Sequence, residues 1–216
     1  MGPFKISEFP FIVSMMTKQY GRAYFEKWYR SPRSRVISPA HLRRKVQMVV
    51  SIAEWFLRRP IRSVLDVGCG EGGWRRHIIS LRPHVRYSGV DASDYVIRRF
   101  GRSRNIRKGT FGSLGELELN GTYDLIISSD VLHYVEDDEI ERGLEALVRL
   151  ADGLVFADMM TRDDGMRGDF EEFHARSAAW YRKRFVKAGL IPCGMQCYLA
   201  PAIADEAIAL EVLPRL

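Results

Sequence analysis

The sequence has few cysteines, no long hydrophobic run and no cluster with the spacing of a metal site. Its three cysteines, Cys69, Cys193 and Cys197, do not make a disulfide framework in a chain of 216 residues. A zinc site needs four ligands, so we expect no metal. No stretch approaches the roughly 18–20 apolar residues of a membrane span. The N-terminus lacks the uninterrupted apolar region of a signal peptide. We therefore expect a cytoplasmic protein without a membrane partner.

Each half of the chain is poor in charges of one sign. Residues 1–108 contain 23 Lys and Arg but only 7 Asp and Glu, whereas residues 109–216 contain 10 and 20. The net charge is +6. Such asymmetry is typical of an anionic partner, and equally of two halves of one fold, or two copies, that attract each other. These alternatives stay open, and the sequence does not indicate an oligomeric state.

Strands and helices alternate along most of the chain. Two helices are predicted first, at 14–30 and 40–58. Further helices are predicted at 72–81, 92–100, 137–150 and 170–188. The predicted strands are at 62–67, 85–90, 105–109, 123–128, 153–158, 195–199 and 207–212. This order indicates an α/β fold with a doubly wound, mostly parallel sheet.

A glycine-rich turn, "VLDVGCGEGGW", follows the first predicted strand. Such a turn lets backbone N–H groups approach a ligand closely. Asp66 stands two residues before Gly68, where its carboxylate would repel a dinucleotide diphosphate but favour a cationic group. Asp91 ends the second strand, where an acid can accept hydrogen bonds from ribose hydroxyls. The two acids together indicate a ligand with a ribose, a cationic amino-acid end and no diphosphate. This argues against NAD.

The motifs "VLDVGCGEGG", "YSGVDAS" and "YDLIISSDVLHYVEDD" resemble those of the class I, Rossmann-like S-adenosylmethionine (SAM)-dependent methyltransferases. The resemblance implies a seven-stranded sheet in the order 3-2-1-4-5-7-6, with strand seven antiparallel. It implies a SAM-binding domain over residues 60–216, after an N-terminal helical extension or lid at 1–59. SAM would be the methyl donor and S-adenosylhomocysteine (SAH) the product.

The same resemblance places the cofactor against residues at the carboxyl ends of four strands. Asp91 would hold the ribose, with Ala92 and Ser93 beside the adenine. Where many relatives carry an acid after the third strand, this chain has Thr110, and Phe111 would pack on the adenine ring. The full set of expected cofactor contacts is Asp66, Gly68, Cys69, Gly70, Asp91, Ala92, Ser93, Thr110, Phe111, Ser129, Asp130 and Val131.

His133, just past the fourth strand, is the candidate general base, because its ordinary pKa suits proton transfer near neutral pH. A histidine that packs or caps locally is the alternative. Tyr134 beside it is a candidate for shaping the pocket. Asp158, Met159 and Met160 follow the fifth strand at the same rim, and the two methionines are candidates to line an apolar pocket.

Tyr20, Tyr24 and Trp28 are spaced by four, so they share one face of the first predicted helix. We expect this face to cover a small organic substrate as an aromatic lid. The alternatives are an RNA or protein methyltransferase that uses the basic N-terminal half, or a SAM-binding protein without catalysis. A nucleic-acid partner is not favoured, because "SSDVLHY" departs from the signature of enzymes that methylate base amino groups.

Overall fold

Strands and helices alternate in the computed structural model, which describes residues 20–165 and 169–213. The strands are β1 (Ser63–Val67), β2 (Arg86–Asp91), β3 (Ile106–Lys108), β4 (Tyr123–Ser129), β5 (Ala151–Asp158), β6 (Ile191–Gly194) and β7 (Cys197–Leu199). The helices are α1 (Arg22–Phe25), α2 (Pro39–Leu57), α3 (Gly73–Leu81), α4 (Asp94–Arg104), α5 (Asp137–Leu150) and α6 (Ala178–Lys187). No described helix is long and apolar enough to cross a membrane.

The seven strands form one sheet in the order β3-β2-β1-β4-β5-β7-β6, which confirms the predicted topology. β1 to β5 pair in parallel, and β7 runs antiparallel to both β5 and β6. The carboxyl ends of β1, β2, β4 and β5 therefore meet at one edge. Ligands bind at this edge in doubly wound sheets.

Alternating residues of the central strands pack on opposite faces of the sheet. In β4, Leu125 and Ile127 face a core formed with α2 and α3, whereas Ile126 faces a core formed with α5 and α6. Both faces are buried, as expected for parallel strands. α2 contributes five fully or nearly fully buried residues, Val46, Val49, Val50, Ala53 and Phe56. Part of the predicted extension is thus built into the core.

The helix predicted at 170–188 is half as long in the structure. α6 begins only at Ala178, with Ser177 as its N-cap. Before it, the guanidinium of the buried Arg176 donates hydrogen bonds to the carbonyl oxygens of Leu132 and Val135. These bonds fix the preceding segment against the end of β4, so the helical prediction is wrong there.

The predicted strand at 207–212 is also wrong, because the final hairpin lies earlier. Met195 and Gln196 both have positive φ, of 51° and 60°, and join β6 to β7 by a two-residue turn. Such turns are usually marked by Asn-Gly or Asp-Gly, and this one is not. Residues 207–212 contain turns and no strand.

The first predicted helix is short and changes type within its described part. α1 is followed by a π-helical turn, Glu26–Arg30, in which the Ser31 N–H donates to the Glu26 carbonyl five residues earlier, at 2.9 Å. The predicted residues 14–19 lie outside the described residues. The wider turn changes which aromatic side chains share a face, as described below.

Candidate active site

The glycine turn between β1 and α3 is held beneath the end of β2. Gly68, Gly70 and Gly72 have φ of 70°, 52° and 75°, a region that favours glycine. The N–H of Gly68 donates to the Val90 carbonyl at 2.7 Å. A Cβ at Gly68 would lie 2.2 Å from a Val131 methyl. The turn therefore requires glycine for both its backbone conformation and its contact with the β4 rim.

Asp66, the penultimate residue of β1, is buried at the base of this turn. Its side chain accepts a hydrogen bond from the Tyr87 hydroxyl at 2.7 Å. Burial raises the pKa of Asp66 to about 7, Asp91 adds to the rise, and the Tyr87 hydrogen bond opposes it. Asp66 has no basic side chain among its described partners. A cationic ligand group would stabilise its ionised form.

Asp91 ends β2 and organises the glycine turn. One of its carboxylate oxygens accepts the Gly70 N–H at 2.7 Å, and the other accepts the Ser93 N–H at 2.9 Å. Each carboxylate oxygen has two lone pairs, so further hydrogen bonds remain possible. Burial raises the pKa of Asp91, whereas the two backbone hydrogen bonds lower it.

A cavity of about 730 Å³ opens beside the glycine turn, between α2 and the carboxyl ends of β1, β4 and β5. Its volume is within the usual range for small-molecule sites. Seven of the predicted site residues line it: Asp66, Gly68, Cys69, Gly70, Ser129, Asp130 and Met160. The cavity therefore corresponds to the predicted methionine side of the cofactor and to the rim where a methyl group would be transferred.

The predicted adenosine side lies beyond this cavity, under the N-terminal segment. Phe25 closes one end, since a Cβ at Gly70 would lie 3.0 Å from its ring. The Phe25 ring stacks on Tyr95, at 5.9 Å between centroids. The Ser93 hydroxyl donates a hydrogen bond to the Tyr20 carbonyl, and Asp91 and Ser93 are buried. The aromatic segment thus covers the acid predicted to hold the ribose.

The residues predicted to lie near the adenine separate into two groups. Ala92 and Thr110 are exposed at this end, and the Thr110 hydroxyl donates to Glu139 at 3.2 Å. Phe111, by contrast, is 2% exposed and packs in the core against Gly143 of α5. Stacking of Phe111 on the adenine is therefore corrected: its ring fills the space that a glycine on α5 provides.

His133 is fully buried and does not line the cavity. Its Nδ1 accepts the Met160 N–H at 3.3 Å, which assigns the ring proton to Nε2. Nε2 lies 3.5 Å from Asp130 Oδ1. Because Nδ1 already accepts a backbone hydrogen bond, this geometry does not fit a general base, and we correct that expectation. His133 instead connects the rims of β4 and β5 and contacts Asp130, whose φ is 64°.

The aromatic residues predicted to share one face, Tyr20, Tyr24 and Trp28, do not form a single group in the structure. Tyr24 contacts Tyr20 and Phe25, at 5.0 and 5.5 Å between ring centroids. Because of the π-turn, Tyr29 rather than Trp28 joins this group, 5.7 Å from Phe25. Tyr29 and Phe25 line the cavity, whereas Tyr20, Tyr24 and Trp28 do not.

The rim candidates also divide. Met160 lines the cavity, but Met159 packs against the hydrophobic core and Tyr134 donates a hydrogen bond to the Asp169 carbonyl at 2.8 Å. Tyr134 and Met159 are therefore corrected as cavity-lining residues. Neither side chain lines the cavity: Met159 packs against the core, and Tyr134 bonds to the segment before α6.

The structure adds Lys45, which the sequence did not indicate, and pairs it with Asp158, which the sequence placed only at the rim. Lys45 of α2 forms an ion pair with Asp158 at the end of β5, and both line the cavity. These residues are 113 positions apart. The one available signal was the position of Asp158 at the end of a strand. Nothing in the α2 sequence indicated that Lys45, rather than its neighbouring arginines, faces the sheet edge.

Comparison with known proteins agrees with this geometry. A family model described as "Methyltransferase domain" matches residues 29–189. A search of curated proteins found no match. DesVI of Streptomyces venezuelae is similar over 73% of this chain and 90% of that one, at 11% identity and a TM-score of 0.59. A SAM-dependent methyltransferase from Archaeoglobus fulgidus is similar over 78% and 73%, at 15% identity and 0.55.

A third structure holds the reaction product. The plantazolicin methyltransferase BpumL, in complex with SAH and a pentazolic desmethylPZN analogue, is similar over 66% of this chain, at 16% identity and a TM-score of 0.57. The chain spans 49% to 63% of the length of the BpumL structures. At these identities the likeness concerns the fold.

The cavity suits the methionine part of SAM. Asp66 offers a buried carboxylate to a cation, and the turn at Gly68 and Gly70 offers a close backbone approach. The family model covers residues 29–189 of the 216, which is most of the chain and includes this site. The chain therefore belongs to the methyltransferase-domain family, and its sheet has the strand order of the class I, Rossmann-like fold.

Proposed function

We propose that the protein methylates a small organic molecule held in the cavity between α2 and the rims of β4 and β5. The observation that carries this proposal is the continuity of the cavity from the glycine turn to Asp158 and Met160. A donor bound at Asp66 and an acceptor at the β5 rim would then share one enclosed space. The plantazolicin methyltransferase BpumL, which is similar in fold, forms a complex with SAH and a pentazolic desmethylPZN analogue.

We infer an in-line displacement in which the protein aligns the reactants and excludes water. SAM, when bound, would supply a methyl group already activated on its sulfonium sulfur, and the acceptor would supply the lone pair for the new bond. The acceptor's proton leaves to solvent. Within the cavity, Asp66 would bind the cationic end of the donor. The backbone of the glycine turn would lie close to the donor, and Asp91 would bind its ribose.

Residues 20–30 of the predicted extension at 1–59 would act as the lid of this site, whereas α2, in the same extension, belongs to the core of the domain predicted at 60–216. Three contacts support the lid. Tyr29 donates a hydrogen bond to Asp130 at 3.4 Å, Phe25 covers Gly70, and Arg30 forms an ion pair with Glu71. The segment therefore contacts both sides of the cofactor cleft.

A nucleic-acid substrate is the second candidate, and the contacts of the basic segment argue against it. Arg104 and Arg107 donate to the carbonyl oxygens of Glu71 and Glu118, and Lys108 pairs with Asp94. These side chains are used within the fold, which leaves fewer of them for phosphate contacts.

Transfer of a radiolabelled methyl group tests the proposal. The protein is incubated with labelled SAM and, separately, with a small-metabolite extract, total RNA or a protein extract. We expect label in the small-metabolite sample and none above background in the others. Incorporation into RNA or protein alone would contradict the small-molecule assignment. A Gly68→Ala variant controls for label that is not transferred by the enzyme.

A further inference from the structure

Three polar side chains from separate elements meet at the acceptor end of the cavity. Lys45 comes from α2, Ser129 from the end of β4 and Asp158 from the end of β5. The Lys45 ammonium and the Ser129 hydroxyl both donate to one carboxylate oxygen, Oδ2 of Asp158, the hydroxyl at 3.0 Å. All three residues line the cavity. Asp158 is thus fixed in position by two donors on the same oxygen.

The other oxygen of this carboxylate is available to a ligand. No residue in the described ranges donates a hydrogen bond to Oδ1 of Asp158, although Asp158 faces the cavity. The side chains of Lys45 and Asp158 are 21% and 18% exposed, so the pair is largely removed from bulk water. A desolvated carboxylate oxygen strongly favours a hydrogen-bond donor. Because Asp158 already neutralises Lys45, an additional anion gains little there.

The chemistry of methyl acceptors fits such an oxygen. An amine or hydroxyl acceptor presents a lone pair to the methyl carbon and an N–H or O–H in another direction. A carboxylate that accepts the N–H or O–H would fix the direction of the lone pair. A carboxylic acid acceptor lacks this donor when ionised and would be repelled by Asp158.

We propose that Asp158 binds the N–H or O–H of the acceptor atom, that Lys45 and Ser129 are its positioning residues, and that the acceptor is therefore an amine or an alcohol. This proposal rests on the proposed function, since it assumes that the acceptor occupies the same cavity. It assigns to α2 a role in acceptor choice in addition to its role in the core.

Binding of three matched probes tests the proposal without turnover. Isotope-labelled protein saturated with SAH is titrated with benzylamine, benzyl alcohol and benzoate, and dissociation constants are taken from NMR amide shifts. We expect benzylamine and benzyl alcohol to bind and to shift the amides near Asp158, and benzoate to bind at least tenfold more weakly. Equal or tighter binding of benzoate, or binding of none of the probes, would overturn the proposal.

Variants identify the residue responsible. Asp158→Asn keeps the size of the side chain, and we expect it to weaken benzylamine binding about tenfold, the effect of losing one charge-assisted hydrogen bond. Ser129→Ala keeps the carboxylate and should weaken benzylamine about threefold. Arg44→Met, on the exposed side of α2, is the matched control and should change nothing. Unchanged benzylamine binding in both Asp158→Asn and Ser129→Ala would contradict the assignment.

Affinity for SAH, together with methyl transfer, distinguishes a failure of the acceptor assignment from a failure of the proposed function. We expect SAH affinity within twofold of wild type in Asp158→Asn. If the probes follow the predicted order but no labelled methyl group reaches a small molecule, the proposed function fails while the donor-binding site stands. If a small molecule is methylated and the probes do not depend on Asp158, only the acceptor assignment fails. Should Asp158→Asn unfold, as judged by circular dichroism, Ser129→Ala carries the test.

Discussion

The predicted methionine end of the site is a cavity bordered by three acids, whereas the predicted adenosine end is covered by aromatic side chains. At the first end, Asp66, Asp130 and Asp158 line the cavity. At the second, Phe25 stacks on Tyr95, and Asp91 is buried. The difference shows that one end is set by the sheet edge and the other by the N-terminal segment. Substitutions at the first end should therefore change stability and cofactor affinity, and substitutions at the second end should change the rates of cofactor binding.

The largest effect is expected from Gly68→Ala at the methionine end. The added Cβ would lie 2.2 Å from a Val131 methyl, and the residue would keep a φ of 70° at a cost of about 1–2 kcal/mol. We expect a marked fall in the midpoint of thermal unfolding and loss of SAH binding by calorimetry. Gly21→Ala, where a Cβ meets no atom within 4 Å, is the control. If Val131→Ala fails to restore any SAH binding to Gly68→Ala, the contact is not the cause.

A pH-dependent effect is expected from Asp66 at the same end. Its pKa is about 7 in the folded protein against an ordinary value of 3.8, so the folded state binds the proton more tightly. The free energy of unfolding of the ligand-free protein should therefore fall as the pH rises from about 4 to about 7. SAM affinity should change oppositely, because the ionised form binds the cation, and weaken by up to about tenfold per pH unit below 7.

Urea unfolding and calorimetry between pH 5 and 8.5 measure both trends. Asp66→Asn should bind SAM weakly at every pH. Its free energy of unfolding should no longer show the fall with rising pH that Asp66 causes. A wild-type SAM affinity that is independent of pH in this range would show that Asp66 does not bind the cationic end.

The smallest effect is expected from Phe25→Ala at the adenosine end. Removing the ring opens one end of the cavity without changing a polar contact of the glycine turn. We expect SAH to associate and dissociate several-fold faster, with a change in the dissociation constant below about threefold. Stopped-flow tryptophan fluorescence measures the rates, since Trp74 lines the cavity. Trp28→Ala, on the same segment but outside the aromatic group, is the control. Equal rates in wild type and Phe25→Ala would remove the lid assignment.

The sheet and the glycine turn were predictable because their signals are local. Buried strands such as β4 appear as apolar runs, and the turn after Asp66 has glycines at fixed spacing. The Lys45–Asp158 pair was not predictable, because it joins residues that only the folded sheet brings together. The segment before α6 was misread as helix because its conformation depends on Arg176, whose hydrogen bonds to the β4 rim have no local pattern.

The π-turn at Glu26–Arg30 makes the lining of the cavity sensitive to the number of residues in this segment as well as to their identity. Each residue of a regular helix turns the chain by about 100°, and the wider turn delays that rotation by one position. A chain with one residue fewer between 26 and 30 would return to regular spacing and point a different side chain at the cavity. The set of side chains that line this end of the cavity can thus change through the gain or loss of a single residue, with every aromatic residue kept.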